Sequence, residues 1–407
     1  MNRLGYQAVC ATVVIALWHV PCSAPALTIT EPGVYALGSD VTFSPGVTDT
    51  IISIESSDVV FDLDGHAIIQ TDATAGVDGI RIAPGLERIT IRNGSIRNTT
   101  GRGIFIDTTT QVEKIAINDL LFDTCQSSGI TISGTSTLSD CTIERCVFSN
   151  CILTSSGDSV LTIQGSRMKI RDILITTENG AGNAVGVAKN VIALSSLSSS
   201  LLENIRVSNF STQTANLIVW SISGATTENI FKNIAIDRCQ SPATLTIFSA
   251  GAGFANNIII SCTAQNCSSG TNTVFVSANS LTSPNLLISC TCLTMSTTSG
   301  PIVGFFFNAS SNQTLIDCIV QRISSNNNGC TPYQCIACTN IQFIRCYAFN
   351  NTATGASTQQ NSFTINSTST GCILRDCIAG NNSATGTSAI SRGFFFDNST
   401  ECVADNN

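Results

Sequence analysis

Paired carboxylates, clustered guanidinium groups and closely spaced thiols are the side chains through which this chain can do chemistry. Asp62 and Asp64 stand two apart beside Gly65. On a strand, residues i and i+2 share a face, so this pair is placed to bind calcium or to act as acid and base. The competing reading is a solvated turn at Gly65. His66 is the only histidine after residue 26, which gives any Ser-His-Asp or Cys-His mechanism a single location. Arg81, Arg88, Arg92, Arg97 and Arg102 hold over a quarter of the 19 basic residues within a short stretch. Cys330, Cys335 and Cys338 have a spacing that suits zinc, but no second Cys pair or nearby His completes a tetrahedral set. No metal ligands are therefore assigned.

The elements that must position these groups are set by a repeat. Cys262, Cys290, Cys318, Cys346, Cys377 and Cys402 fall at intervals of 28, 28, 28, 31 and 25 residues. The same slot is filled earlier by Ile234, Ile205, Ile173, Cys146, Leu120 and Gly94, and more loosely by Gly65. About 13 units then tile residues 55–407, and units of this length bury their apolar face only by stacking on neighbours. Three residues before the slot the chain is apolar in every unit from Ile91 to Leu374, and two residues after it from Ile96 to Ala379. Slots zero and plus two share a strand face, whereas minus three has the wrong parity, so the backbone must turn between them. Asn98, Asn150, Asn209, Asn266, Asn350, Asn381 and Asn406 occupy plus four. Asn tolerates the left-handed conformation of a tight corner, and stacked Asn side chains can hydrogen-bond from coil to coil.

With these corners, and with the phrase running from Val59 to Ile68, the chain resembles the right-handed parallel β-helices of the pectin-lyase-like superfamily. The resemblance implies an all-β fold: a single-stranded right-handed parallel β-helix, a solenoid roughly 60 Å long at about 4.8 Å per coil. Carbohydrate-binding and sugar-hydrolase-type functions are what it implies for activity. Pectate-lyase-like enzymes use an Arg as base beside calcium held by several Asp. The triple-Asp and Arg-Pro arrangements of that family have no match here, nor does the Gly-His-Gly of polygalacturonases. Calcium is the one cofactor the resemblance would admit.

Two columns carry charge. Minus one holds Asn93, Asp119, Arg145 and Asp172, then Asp317, Arg345 and Asp376; minus two holds Arg92, Asn118, Glu144 and Arg171. Arg92, Glu144 and Arg171, with Arg97 nearby, are the candidate glycan-binding residues. The alternative is that alternating charges one coil apart only hold the rod in register. In Phe305-Phe306-Phe307 and Phe394-Phe395-Phe396 the central rings, Phe306 and Phe395, are expected outside, where they can stack on sugars. Ser195–Ser200 reads as a protruding loop, where a solenoid would carry function.

The N-terminus has the basic, apolar and small-residue regions of a secretory leader, ending at Ala26. Residues 27–54 are expected to cap the solenoid and 55–407 to form it. No apolar stretch is long enough to span a membrane. Charged residues make up only 11 % of the chain and the net charge is −8, which excludes nucleic acid as a partner. Seventeen cysteines follow the leader. Cys125, Cys151, Cys239 and Cys267 form a second column at plus five. Residues stacked about 4.8 Å apart with parallel side chains exceed the Cβ separation of a relaxed disulfide, so buried thiols are expected. The chain stops just after a slot zero and its corner, so either a partner caps the open coil or the gene product is truncated. The function expected is that of a secreted, periplasmic or cell-surface module that binds a polysaccharide or a cell-surface or host protein without catalysis. The alternative is a lyase or glycoside hydrolase acting on an acidic polysaccharide.

Overall fold

The computed structural model describes residues 27–43, 50–73, 75–134, 138–151, 159–177, 189–212, 216–355 and 358–407, together with the backbone of Thr12–Ile15. A five-residue rhythm builds one side of each coil. Arg88, Asn93 and Asn98 are left-handed (φ 59, 58 and 60°), and so are 114/119/124, 140/145/150, 228/233/238 and 256/261/266. Between corners two side chains point inward, Ile89 with Ile91 and then, past Asn93, Gly94 with Ile96. Each left-handed residue resets the alternation, so inward positions run i, i+2, i+5. This is the turn that the parity of slot minus three requires. Asn and Asp adopt this conformation readily; for Arg, Lys or Glu it costs about 1–2 kcal/mol, offset by the hydrogen bonds between coils.

The coil holding Cys262 is representative. It runs through strands Ile258–Ile260, Thr263–Gln265 and Ser268–Ser269 and the long strand Asn272–Asn279. Every pairing is parallel to the equivalent strand one coil on, as in Ile258–Ile260 against Asn285–Ile288. The result is an all-β parallel β-solenoid of about 12 turns, with no helix among the described residues. Its sheets hold 40 and 6 strands. Residues 27–54 already pair in this pattern, with Leu27–Ile29 against Thr50–Ile54 and Gly33–Leu37 against Val59–Asp62. Thr12–Ile15, inside the expected leader, lies parallel to Gly33–Leu37.

The core is a set of columns. Slot minus three is buried from Ile91 through Leu374, and Cys262, Cys290, Cys318, Cys346 and Cys377 are buried free thiols on successive coils. Long strands add an aromatic column. Tyr333 lies 5.3 Å from Phe305 and 4.6 Å from Phe363, near-parallel to both, and Phe363 lies 5.1 Å from Phe394. Phe305 and Phe307 are buried and Phe306 faces outward, half-buried.

Three expectations are corrected. Val403–Asp405 pairs with Ile373–Arg375, so slot zero of the last coil is Asn407, and Cys402 belongs to the column of Cys372. A slip of five residues keeps the same inward parity, which is why the thiol pattern alone misassigned it. Asn406 likewise stands at minus one. Second, Ser195–Ser198 close the strand Lys189–Ser198, which pairs with Leu217–Ser223, and no loop protrudes there. Third, the plus-four Asn residues are left-handed as expected, but a corner side chain points to solvent. The buried amide ladder runs at minus five, where Asn229, Asn257, Asn285 and Gln313 face inward. Asn229 Nδ2 donates to Asn257 Oδ1 (2.9 Å), Asn257 Nδ2 to Asn285 Oδ1 (3.1 Å) and Asn285 Nδ2 to Gln313 Oε1 (2.9 Å). The same oxygens accept the backbone N–H groups of Asn229 and Asn257.

Asn257→Leu removes the acceptor of two buried N–H groups at nearly constant volume. At about 1–3 kcal/mol per unsatisfied group, we expect a loss of at least 3 kcal/mol in urea unfolding. Cys318→Ser places a hydroxyl in an apolar column and should cost about 1–3 kcal/mol. Thiol titration in denaturant should find most cysteines reactive without prior reduction, whereas peptide mapping that pairs Cys290 with Cys318 would contradict the thiol column.

Candidate functional site

A run of three similar pentapeptides positions the most structured polar site. Asp78-Gly79-Ile80-Arg81-Ile82, Arg102-Gly103-Ile104-Phe105-Ile106 and Ser128-Gly129-Ile130-Thr131-Ile132 stack in register, with Ile80, Ile104 and Ile130 aligned inward and Arg81, Phe105 and Thr131 aligned outward. The glycines are required by close approach. A Cβ on Gly103 would sit 2.5 Å from the Phe122 ring and one on Gly129 2.2 Å from Phe148, and those two rings stack at 4.7 Å inside the coil. Packing in the core therefore fixes where the outward residues stand.

Outside, the turns around Gly76, Gly101 and Ser127 flank a groove of about 560 Å³ whose lining includes Asp78, Arg102, Thr131, Ser133 and Thr162. Asp78 is nearly buried, with 4 % of its side chain exposed, and Arg102 clamps it through Nε–Oδ1 (2.9 Å) and Nη2–Oδ2 (2.8 Å). Burial pushes the Asp78 carboxyl above its ordinary value in spite of Arg102. The Arg102 guanidinium also lies 3.6 Å from the centroid of the Phe105 ring. One coil on, Arg81 Nη2 donates to Asp107 Oδ2 (2.9 Å). Burial works against the charge on Asp107, but the Thr109 N–H and Arg81 outweigh it and hold its carboxyl below the usual range. The groove thus offers the Arg102 guanidinium, the Asp78 carboxyl and hydroxyl groups, with the Phe105 ring against Arg102 at its edge and the Arg81–Asp107 pair farther along the strands.

The stripe read from the sequence is elsewhere. Asp62, Arg92, Asn118, Glu144 and Arg171 are consecutive partners in one outward column. Their charges are largely spent on one another. Arg92 Nε reaches Asp62 Oδ2 at 2.8 Å, and Glu144 accepts from Arg171 Nη2 at 2.9 Å and from Arg145 Nη1 at 3.2 Å. Arg97 lies outside this column, on the next face, donating to Ser95 Oγ at 3.1 Å. In column minus one Arg145 forks onto Asp119 (2.6 and 2.8 Å), and Arg345 onto Asp317 (2.7 and 3.0 Å).

Asp62 and Asp64 do not share a strand face. The strand ends at Asp62, Asp64 is left-handed, and its N–H donates to Asp62 Oδ1 (2.9 Å), the turn reading of this pair. His66 Nδ1 lies 3.4 Å from Asp40 Oδ1. Cys330, Cys335 and Cys338 are buried, and among the described residues no three His, Cys, Asp or Glu side chains come together to hold a metal. Sequence reasoning missed Asp78, Phe105 and Asp107. The signal was the X-Gly-Ile-X-Ile phrase recurring at Gly79, Gly103 and Gly129, outside the Cys-centred register.

No family model and no curated protein matches the chain. Solved structures similar to it include the A-module of the mannuronan C-5 epimerase AlgE6 of Azotobacter vinelandii, at 13 % identity and TM-score 0.36 over 90 % of this chain and 91 % of that one. A mutant tailspike protein of the E. coli bacteriophage HK620, in complex with a pentasaccharide, matches at 11 % identity and TM-score 0.32 (92 % and 74 % covered). PfbA, a surface adhesin of Streptococcus pneumoniae, matches at 9 % identity and TM-score 0.30 (91 % and 82 % covered).

The ion-pair column has a pH signature. Burial raises the Glu144 carboxyl, but Arg171 and Lys169 outweigh it, so its folded value lies below the ordinary 4.5. A depressed carboxylate contributes stability that is present above its unfolded pKa and lost as pH falls through the folded one. The melting temperature should therefore fall as pH drops below about 4.5, and Glu144→Gln should flatten that slope while leaving the lower-pH limit nearly unchanged.

Proposed function

We propose that this chain is an exported or cell-surface solenoid that binds a glycan in the groove lined by Asp78 and Arg102, with Phe105 at its edge, without catalysing a reaction on it. The observation that carries the reading is the Arg102 guanidinium laid on the Phe105 ring and locked by a nearly buried Asp78. A guanidinium held in place by Asp78 and Phe105, with N–H groups beyond the two spent on Asp78, suits a sugar, whose hydroxyl groups need directional partners and whose C–H face packs on a planar apolar surface. The Ser and Thr hydroxyls of the groove add further partners. The leader-like N-terminus and the low charge support an extracellular setting.

The lyase or hydrolase reading is favoured by one observation, the upward shift of the nearly buried Asp78 carboxyl in the groove. A carboxyl that burial inclines to keep its proton is the raw material of a general acid. Incubation with uronate-containing and neutral polysaccharides, followed by assays for unsaturated products and new reducing ends, separates the two readings. Turnover lost in Asp78→Asn would establish catalysis.

For binding, affinity electrophoresis on the same panel should find at least one retarding polysaccharide. Phe105→Ala should weaken that interaction at least tenfold, about 1.4 kcal/mol, with the melting temperature within a few degrees of wild type. Arg92→Ala combined with Arg171→Ala should leave it unchanged. The reverse pattern would move the contact to the charged stripe.

A further inference from the structure

The outward column that begins at Arg81 and Phe105 continues without a break along the long strands. It passes the small side chains of Ala193, Ser221, Ser249 and Ser277 and ends at Phe306, Gln334, Thr364 and Phe395. At that far end lies a second groove, of about 340 Å³, whose lining includes Gln334, Asn361, Thr364, Asn366 and Phe395. It differs from the first in having no charged side chain in its lining, which is made of amides, hydroxyls and the Phe395 ring.

Its polar atoms are unusual in being unpaired. Thr364 is 4 % exposed and Asn361 6 % exposed. Even so, Thr364 Oγ1, Asn361 Oδ1 and Asn366 Oδ1 have no hydrogen-bond partner within the described protein. A buried polar atom left unpaired costs about 1–3 kcal/mol, and three such atoms meeting in one groove mark a place where a ligand supplies the partners. The two amide oxygens are acceptors, so the ligand must bring donors. A carboxylate or phosphate brings only acceptors, whereas a sugar hydroxyl donates and accepts and serves either end of an amide. Phe395, half-buried, adds a ring on which the Arg392 guanidinium lies 4.4 Å from the centroid.

We infer that this second groove is a subsite for an uncharged glycan, lying on the same track as the first and about 40 Å from it at roughly 4.8 Å per coil. The inference extends the glycan-binding reading but rests on a separate groove, so each can fail alone. A single long chain lying on the small-residue floor would engage both ends.

The test uses trisaccharides, too short to reach both grooves. The full protein is titrated calorimetrically with maltotriose, cellotriose, xylotriose and laminaritriose, with trigalacturonate as the charged comparator. At least one neutral trisaccharide should bind. Thr364→Val and Phe395→Ala should each weaken it at least tenfold, while Phe105→Ala changes it less than twofold. Thr364→Val replaces an unpaired buried hydroxyl by a methyl group, so the ligand-free melting temperature should hold or rise. If it falls and binding is lost, Phe395→Ala decides, because its ring is only half-buried. Binding lost to Phe105→Ala but untouched by the other two variants would overturn this subsite and leave the first groove standing. Binding by none of the neutral sugars, or tighter binding of trigalacturonate at this end, would also overturn it.

Discussion

A left-handed residue five positions from the next, along the short-strand side of each coil, is the constraint on which the rest of this solenoid depends. It closes each face after two inward side chains and turns the chain into the next face. Its cost for residues other than Gly, Asn and Asp is real, and the parallel hydrogen bonds between coils carry it. Arg145 shows how the surface uses the geometry: left-handed at φ 53°, it forks onto Asp119, itself left-handed one coil earlier. The corners that shape the core also stack the charges outside it.

The interior answers the same geometry with columns, because each inward position meets its own kind about one strand spacing away. Thiols, aromatic rings and amides each sort into such stacks. The amide column is the exacting one, since Asn229, Asn257 and Asn285 each accept from the coil before and donate to the coil after, with backbone N–H groups drawn into the same oxygens. Thiols and rings tolerate slip; a chain of reciprocal amide bonds does not. It therefore fixes the rotational register of the middle coils in a way that apolar packing does not.

The outward polar residues stand where packing leaves room for them. Phe122 and Phe148 fill the space at Gly103 and Gly129, where no side chain fits, and Arg102 and Phe105 meet on the outside of the same strand. At the opposite end no carboxylate lines the track, and the amide oxygens there remain unpaired. One face of the rod thus offers two chemically different ends joined by small side chains.

The fold was legible in the sequence because stacking forces every coil to repeat the same inward residue types, so the cysteine interval and the apolar columns at minus three and plus two suffice to read a parallel solenoid. The corner role of Asn150 and Asn266 was legible for the same reason, since few residues accept a positive φ. What only the tertiary structure decided is phase and company. A five-residue slip preserves inward parity, so only strand pairing could move Cys402 beside Cys372, and only side-chain direction could show that the amide ladder lies at the inward position minus five rather than at the corner position plus four. Arg92, Glu144 and Arg171 were correctly placed in one stripe, but their mutual ion pairing depends on side-chain directions that spacing does not give. Arg102 meets Asp78, and Arg81 meets Asp107, only because long strands from successive coils lie edge to edge, a contact between residues some 25 positions apart that the cysteine-centred repeat does not index.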